Sequence, residues 1–230
     1  MSLNPCIGNR CSQTRRLSPE VLESQESRAF LDFPETSGFR GKPGTNTRQV
    51  SSVIITISGT PGTGKTSVAR ILAKLMSCEV VAINKFVDEH KLSEGRDEAG
   101  SKIVDVSKLR REIEKHLKNF KGCIIIEGHL AHFLRADFCV VLRCDPLVLE
   151  GRLKKKKWRK AKIRENVQAE ILDVILAEAL ANKKIKCLLE LDNTRLVPKK
   201  CAEKILCLIK KAKPHRENVQ WLKKYENMMI

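Results

Sequence analysis

The sequence contains few aromatic residues and no long apolar run. Phe, Trp and Tyr make up 4% of the 230 residues, whereas hydrophobic residues of all kinds make up 42%, which predicts an aliphatic core. No stretch of about 18 consecutive apolar residues occurs, so a membrane-spanning helix is excluded. The first residues also lack the apolar stretch after a basic start that marks a secretory signal. A chain of this length predicts one domain with tails.

The cysteines lack the spacing of a zinc site or of a disulfide framework. There are nine, an odd number, and no two of them form a Cys-x-x-Cys pair. Several lie inside apolar, strand-like runs, where a free thiol behaves as a small hydrophobic group. We therefore expect reduced, mostly buried cysteines, as in a cytosolic or nuclear protein.

Acidic residues are too few to balance the basic ones. The chain has 44 Lys and Arg against 27 Asp and Glu, a formal net charge of +17. A surface this basic favours polyanionic partners, which include nucleotides, RNA and acidic proteins. Charge alone leaves the choice among them open.

The two ends of the chain differ in composition from its middle. Residues 1–50 lack sustained periodicity and contain a series of chain breakers over 33–44, which predicts a disordered extension. The alternative is a partner-binding arm or a targeting segment, although the acids Glu20, Glu23 and Glu26 weaken a transit-peptide interpretation. Residues 214–230 predict a loose or weakly helical tail. The folded domain is expected over 51–213.

Strand-like and helix-like segments alternate through the middle of the chain. Short apolar runs predict five strands, at 53–58, 79–83, 123–127, 138–142 and 187–191. Helical spacing of apolar residues predicts helices at 65–76, 107–120 and 198–211, one helix that opens at Asp145 and Pro146, and one long helix with Val167, Ile171, Leu172, Ile175 and Ala179 on one face. Alternation of this kind requires crossover connections. We therefore expect an α/β fold whose five-stranded, mostly parallel sheet is flanked by helices.

A phosphate-binding loop follows the first predicted strand. Gly59, Gly64, Lys65 and Thr66 match the pattern G-x-x-x-x-G-K-[ST] in full, between a strand and a helix. The glycines let backbone N–H groups turn inward towards phosphate oxygens, and the helix presents its positive end to the same anion. Lys65 is expected to contact the β- and γ-phosphates of ATP, and Thr66 to offer its hydroxyl to Mg²⁺. These features predict the P-loop NTPase fold.

A second carboxylate for the magnesium shell is expected at the end of a neighbouring strand. Glu127 follows three isoleucines and precedes Gly128 and His129, which makes it the best candidate, although it could be only a solvated strand end. His129 could orient a water molecule or a phosphate, or could simply be packed in the loop. A metal site formed by His129 and His132 lacks an evident third ligand.

A dense basic segment lies in the second half of the chain. Nine of the thirteen residues from Arg152 to Arg164 are Lys or Arg, none is acidic, and Trp158 lies in the middle. In nucleotide kinases a mobile lid carries such cations over the transferring phosphate. The segment also suits RNA, because lysines neutralise phosphates and Trp158 could stack on a base. A solvated basic helix is the remaining alternative.

Together, these motifs resemble one known family. Residues 53 to about 211 resemble the small adenylate kinases of archaea and eukaryotic nuclei, the adenylate kinase isoenzyme 6 type, also described as small-ribosomal-subunit maturation factors. The resemblance rests on the segments 59–66, 127–129, 141–145, 152–153 and 163–171. The phosphate loop is shared by many kinases, whereas the carboxylate-x-His step at Glu127 and His129 and the helix after the lid make the match specific.

The resemblance implies an ATP-dependent nucleoside monophosphate kinase, with AMP as the usual acceptor and a side ATPase activity. It also implies a role in late small-subunit rRNA maturation through a small-subunit ribosomal protein, possible contact with pre-rRNA, and a cytoplasmic or, in eukaryotes, nuclear location. Carried over by position, Gly62, Gly64, Lys65, Thr66 and Ser67 hold ATP. Residues from about 82 to 104 form the acceptor-binding region, and residues from about 155 to 165 form the lid.

Two positions depart from the eukaryotic pattern of the family. Lys156 and Lys157 replace Arg-Gly, so a guanidinium that could bind bidentately becomes a point charge. Glu127 replaces Asp, which alters how closely the magnesium shell is held. Neither change removes the chemistry.

The expected mechanism is direct in-line transfer without a general base, because the acceptor phosphate is already anionic. Lys65, the magnesium pair Thr66 and Glu127, and the lid cations Arg152 and Lys156 would neutralise the two polyanions. Three alternatives remain: an ATPase switch in ribosome assembly, in which Glu127 and His129 handle water; a kinase of another small molecule; and a pure RNA-binding module. A monomer is favoured.

Overall fold

The computed structural model describes residues 52–97 and 100–228. The predicted disordered extension, residues 1–50, lies outside the described residues. Within the part that the structure describes, no helix is both long enough and apolar enough to span a membrane.

A parallel sheet of six strands forms the centre of the molecule. In sequence order the strands are β1 (Val53–Ser58), β2 (Glu79–Ala82), β5 (Cys123–Glu127), β6 (Ala136–Arg143), β7 (Ile185–Asp192) and β8 (His215–Arg216), and their spatial order is β2-β5-β1-β6-β7-β8. All five predicted strands are present, and β8 is a two-residue addition at the edge. A separate antiparallel hairpin joins β3 (Ser93–Arg96) to β4 (Lys102–Val104). The predicted α/β fold with a mostly parallel sheet is confirmed.

Helices connect the strands. They are α1 (Lys65–Met76), α2 (Ile83–Glu89), α3 (Val106–Leu117), α4 (Pro146–Lys155), α5 (Lys160–Ile171), α6 (Val174–Ala181), α7 (Pro198–Lys211) and α8 (Trp221–Lys224), with short 3-10 turns at Ala131–Phe133 and Glu226–Met228. Asp145 caps α4 by accepting from Leu147 N at 3.0 Å, with Pro146 in the first turn, as the sequence predicts. Asp105 caps α3 in the same way.

The core is mainly aliphatic, and it positions the carboxyl ends of the central strands. β1 lies between β5 and β6, with Ile55 opposite Ile125 on one side and Phe138 on the other. Ile54, Ile124 and Ile126 are at most 1% exposed and pack with the apolar sides of α2 and α3. Because neighbouring parallel strands end at the same edge of the sheet, Ser58 and Glu127 lie close together there.

The prediction of one long helix through Val167 and Ala179 is wrong, because the structure has two helices there, α5 and α6. Asp173 lies between them with a left-handed φ of 56°. The buried guanidinium of Arg143 donates to the carbonyl of Glu170 at 3.0 Å and to the carboxylate of Asp173. In a continuous helix that carbonyl would accept from Val174 N. A side chain from β6 therefore ends α5 where the apolar pattern alone would continue it.

The segment after Pro214 is packed rather than loose. Trp221 and Tyr225 are 8% and 9% exposed and lie against Leu149 and Leu153 of α4. Tyr225 Oη donates to Asp145 Oδ2 at 2.6 Å. Two aromatic anchors and several hydrogen bonds, among them Asp192 N to Glu217 Oε2 at 2.6 Å, fix the segment without the repeated apolar spacing by which sequence patterns reveal a helix.

The expectation of reduced cysteines is wrong for one pair. Cys78 and Cys123, which are 45 residues apart, form a disulfide. Cys78 directly precedes β2, in which Glu79 is paired with Ile124, so the parallel register places Cys78 beside Cys123. Cys139, Cys144, Cys187 and Cys201 are free and buried, whereas Cys207 is free and exposed.

Candidate active site

The phosphate loop is a tightly enclosed turn at the carboxyl end of β1. Gly59 has a φ of 142°, and a Cβ there would lie 2.4 Å from the carbonyl oxygen of Leu142. Gly64 caps α1 with a φ of 101°, and a Cβ there would lie 2.9 Å from the side-chain amide of Asn193. Neither position has room for a side chain, which explains why the loop requires these glycines.

Lys65 lies beneath the loop and is 8% exposed. Its Nζ donates to the carbonyl oxygens of Gly59 at 2.7 Å and Thr60 at 3.1 Å. Burial lowers the Lys65 pKa to about 8, against the opposing effect of the Glu127 and Glu170 carboxylates, and the positive charge of Lys156 lowers it further. A poorly hydrated ammonium at this position is suited to binding a phosphate.

Thr66 and Glu127, predicted from the sequence as a magnesium pair, lie together. Thr66 Oγ1 is 3.2 Å from each carboxylate oxygen of Glu127, which is itself 7% exposed. Hydroxyl and carboxylate oxygens are the hard donors that Mg²⁺ prefers. Their role as ligands stays a prediction. Ser67, on the next position of α1, is exposed.

His129 follows Glu127 by two residues and is half-buried. Burial lowers its pKa to about 4, and the charges of Lys65, His132 and Lys162 lower it further. His129 is therefore neutral at physiological pH. Within the described residues its ring makes no hydrogen bond, so the structure does not support a role as a hydrogen-bonded core residue.

The two cations predicted for the lid occupy different environments. Arg152 donates to three backbone carbonyls: Gly62 O at 3.4 Å, Asn193 O at 3.3 Å and Thr194 O at 2.9 Å. It thus joins the phosphate loop to the loop after β7, and its part in transfer stays a prediction. Lys156 is exposed where α4 ends, near enough to lower the Lys65 pKa.

Sequence reasoning missed the residues that hold the phosphate loop in place. Glu170 accepts from Thr60 Oγ1 at 2.5 Å and from Arg143 Nε at 2.9 Å. Asn193 Nδ2 donates to Thr63 O at 2.8 Å. The signal available in the sequence was weak: a charged Arg143 at the end of an apolar strand, and a polar Asn193 directly after another.

Lys162, on α5, was also missed among the nine basic residues of its segment. Its side chain is 16% exposed, whereas that of Lys154 is 62% exposed. Lys162 Nζ lies 4.0 Å from Asp97 on the β3–β4 hairpin and 3.1 Å from Glu165, and its charge acts on His129. Lys162 therefore joins the lid segment to the hairpin, and its charge is felt in the loop of His129.

The predicted acceptor-binding region, 82–104, consists of α2 and the hairpin. Ser93–Arg96 is exposed throughout, and ion pairs join the hairpin to its surroundings, Lys102 to Asp88 and Lys108 to Glu94. Gly128 lies against the base of α2, where a Cβ would be 2.8 Å from Ile83 Cβ. The base of this region is thus fixed beside Glu127, whereas its hairpin is exposed to solvent.

Comparison with known proteins gives consistent matches. A family model described as an AAA domain matches residues 55–173. A "Putative adenylate kinase" of Methanocaldococcus jannaschii is 35% identical over 172 residues, which cover 74% of this chain and 94% of that protein. One of Pyrococcus furiosus is 38% identical over 179 residues, covering 77% and 96%. The structure of a shikimate kinase from Acinetobacter baumannii in complex with shikimate superposes with a TM-score of 0.50 at 17% identity, covering 71% of this chain and 96% of that one, and supports the fold alone.

Proposed function

Because the chain belongs to the family of these archaeal adenylate kinases, as its sequence predicted, we propose that it transfers the γ-phosphate of ATP to AMP or another nucleoside monophosphate. The observation that carries the proposal is the arrangement at the carboxyl edge of the sheet. Lys65 lies buried beneath the phosphate loop, and Thr66 lies 3.2 Å from both oxygens of Glu127. The same edge borders the 82–104 region, where the acceptor would bind.

ATP and Mg²⁺ fit the residues that are present. The loop has no room for side chains at Gly59 or Gly64. A glycine-rich turn before a helix directs backbone N–H donors towards a phosphate. Thr66 and Glu127 supply oxygen donors that would hold Mg²⁺, which neutralises phosphate charge when bound. The Lys65 ammonium would exchange its contacts with Gly59 O and Thr60 O for phosphate oxygens.

The chain's own residues then have two tasks, positioning and charge neutralisation. The acceptor phosphate is already anionic, so no general base is required. Lys65 acts from below the loop, while the lid brings Lys156 and Lys162 from above. Arg152 holds the lid helix α4 to the phosphate loop through Gly62 O. His129, which is neutral, adds no charge of its own.

The test is product analysis of the purified chain with ATP and Mg²⁺, with and without AMP, resolving ADP from free phosphate. Transfer predicts that ADP rises when AMP is present, without an equal amount of free phosphate. Free phosphate released at the same rate with or without AMP would contradict kinase activity.

A second function, ATP hydrolysis as a switch in ribosome assembly, is favoured by one observation. A neutral, half-buried His129 two residues from Glu127 could orient a water molecule at the phosphate edge. In this form, or beside kinase activity, the protein would act in late small-subunit rRNA maturation in the cytoplasm or nucleus. The net charge of +17 and the exposed lid lysines supply a surface for a small-subunit ribosomal protein and pre-rRNA. Stimulation of phosphate release by ribosomal components, without AMP, would favour this function.

A further inference from the structure

His132 lies on a buried polar connection that the proposed chemistry does not use. It belongs to the 3-10 turn Ala131–Phe133, directly after the loop of Glu127 and His129, and is 1% exposed. Its Nδ1 is 2.9 Å from the hydroxyl of Ser58, the last residue of β1 before the phosphate loop. Its Nε2 is 2.9 Å from Glu178 Oε2 on α6. The three side chains connect the start of the phosphate loop to the second helix after the lid.

The number of protons decides how these contacts are satisfied. Ser58 Oγ lies within reach of two acceptors, His132 Nδ1 at 2.9 Å and His129 O at 3.2 Å, but its hydroxyl has one proton. Glu178 is a carboxylate and only accepts. A neutral His132 with its proton on Nε2 donates to Glu178 and accepts from Ser58, leaving the His129 carbonyl without that donor. A doubly protonated His132 donates at both nitrogens and directs the Ser58 proton to His129 O.

The protonation state of His132 therefore determines whether the Ser58 hydroxyl donates to the histidine ring or to the backbone carbonyl of His129. Burial lowers the His132 pKa, and this outweighs the opposing effects of the Glu178 carboxylate and the His129 backbone. The groups that face the ring are Ser58 from β1, Glu178 from α6 and the neighbouring residues His129 and Phe133. His132 is therefore neutral at pH 7, and its ring proton is on Nε2, because Glu178 can only accept a hydrogen bond there.

We propose that His132, as the neutral Nε2–H tautomer, is a positioning residue. It holds the end of β1 and the loop of Glu127 and His129 in register with α6 through Ser58 and Glu178. The proposal rests on the proposed function, because what is positioned is the site of phosphoryl transfer. Loss of this connection is expected to displace Glu127 from Thr66. It should therefore lower kcat more than it raises the KM for ATP.

The first test is made on the wild-type chain, needs a variant only to assign the signal, and does not depend on activity. ¹⁵N-resolved NMR of the full chain reports the tautomer of each histidine ring, and His132 is assigned by the signal that disappears in His132→Phe or, if that variant does not fold, in His132→Gln. A neutral ring protonated at Nε2 at pH 7 is expected. An Nδ1–H tautomer, or a doubly protonated ring at pH 7, would overturn the proposal whether or not the chain is a kinase.

The second test separates positioning from packing. His132→Phe keeps an aromatic ring but loses both hydrogen bonds, and we expect kcat for ADP formation to fall about 10- to 100-fold with little change in the KM for ATP. His132→Gln can still donate to Glu178 and should recover part of kcat. His116→Phe, at an exposed histidine on α3, is the matched control and should keep wild-type kcat.

A double-mutant cycle completes the test. Ser58→Ala alone should lower kcat, and adding it to His132→Phe should cost little more, because both changes break the same connection. Fully additive losses, or a His132→Phe variant with wild-type kcat, would overturn the positioning role. ADP formation is followed with and without AMP, so a failure of kinase activity itself is recognised in the wild-type chain.

Discussion

The phosphate loop and the basic segment proposed as the lid, residues 155–165, would bind the same substrate, but they are built in opposite ways. Beneath the loop, Thr60 and Lys65 are buried and hydrogen-bonded, Thr60 to Glu170 and Lys65 to two carbonyls, and Asn193 Nδ2 donates to Thr63 O. Among the cations of residues 155–165, Lys162 is half-buried and the others are exposed. If both act in transfer, the groups of the loop are held in place by the fold beforehand, whereas most cations of the proposed lid start in solvent. Substitutions in the loop should therefore be severe, and those in the lid graded.

Among the substitutions that test this contrast, Lys65→Ala should have the largest effect. We expect turnover to fall roughly 10³-fold or more, because a buried, preorganised cation is removed from the transferring phosphate. The fold should remain, since in the described part of the chain the hydrogen bonds of Lys65 Nζ go to carbonyls of its own loop. Product formation and circular dichroism are measured on the same preparation. Normal turnover in a folded variant would show that the loop does not carry the chemistry.

The support beneath the loop is tested by Arg143→Met. Arg143 is 2% exposed and pairs with Glu170, Glu190 and Asp173, the first two of which are also buried. Removing the cation leaves buried carboxylates unpaired, so we expect the free energy of unfolding to fall by about 3–5 kcal/mol in urea titrations. Lys154→Met is the control, because its exposed pair with Glu150 should contribute no more than about 0.5 kcal/mol. Equal losses in both variants would mean that burial does not distinguish the two pairs.

The burial of Lys65 also predicts a dependence of stability on pH. Its pKa is about 8 in the folded chain and 10.5 when unperturbed, so between these values the unfolded chain binds more protons. The Lys65 contribution to the free energy of unfolding should therefore rise with pH across that range. The difference in stability between the wild-type chain and Lys65→Met, measured from pH 7 to pH 10, isolates this contribution. If the free energies of unfolding of the two proteins change in parallel with pH, the pKa of Lys65 is not lowered by burial.

In the lid, Lys162→Ala should lower kcat about 10-fold, less than the 10²–10³-fold typical of a donor fixed on the reacting group. Within residues 155–165, Lys162 is the cation with the least exposed side chain, at 16%. Lys160→Ala, on the same helix but exposed, is the matched comparison and should give a smaller loss. Steady-state kinetics with ATP and AMP measure both. Equal effects would show that burial of Lys162 has no catalytic consequence.

The same contrast explains what the sequence could and could not predict. The phosphate loop, the five main strands and the pairing of Thr66 with Glu127 follow from local pattern, because parallel strands bring their ends to one edge. The break at Asp173, the docking of Trp221 and Tyr225, and the Cys78–Cys123 disulfide depend on residues distant in sequence. Arg143 shows why: its position in a strand is visible, but its three carboxylate partners lie 27 to 47 residues away.

The smallest expected effect lies where the lid departs from the family. Lys157 has a left-handed φ of 57° at the position where the eukaryotic pattern carries Gly. An L-residue in this conformation costs about 1 kcal/mol, which glycine would relieve, although the greater freedom of glycine in the unfolded chain cancels part of the gain. Lys157→Gly should therefore raise the free energy of unfolding by about 0.5–1 kcal/mol in urea titrations.

Lys156→Gly is the matched control for this last prediction. Lys156, the neighbouring residue, has a φ of −80°, a conformation that any residue adopts. Glycine there relieves no strain and should lower stability slightly. If both substitutions lower stability, strain at Lys157 is not significant, and its departure from the family pattern concerns charge alone. If only Lys157→Gly raises stability, Lys157 occupies a strained position at which a glycine would be more stable.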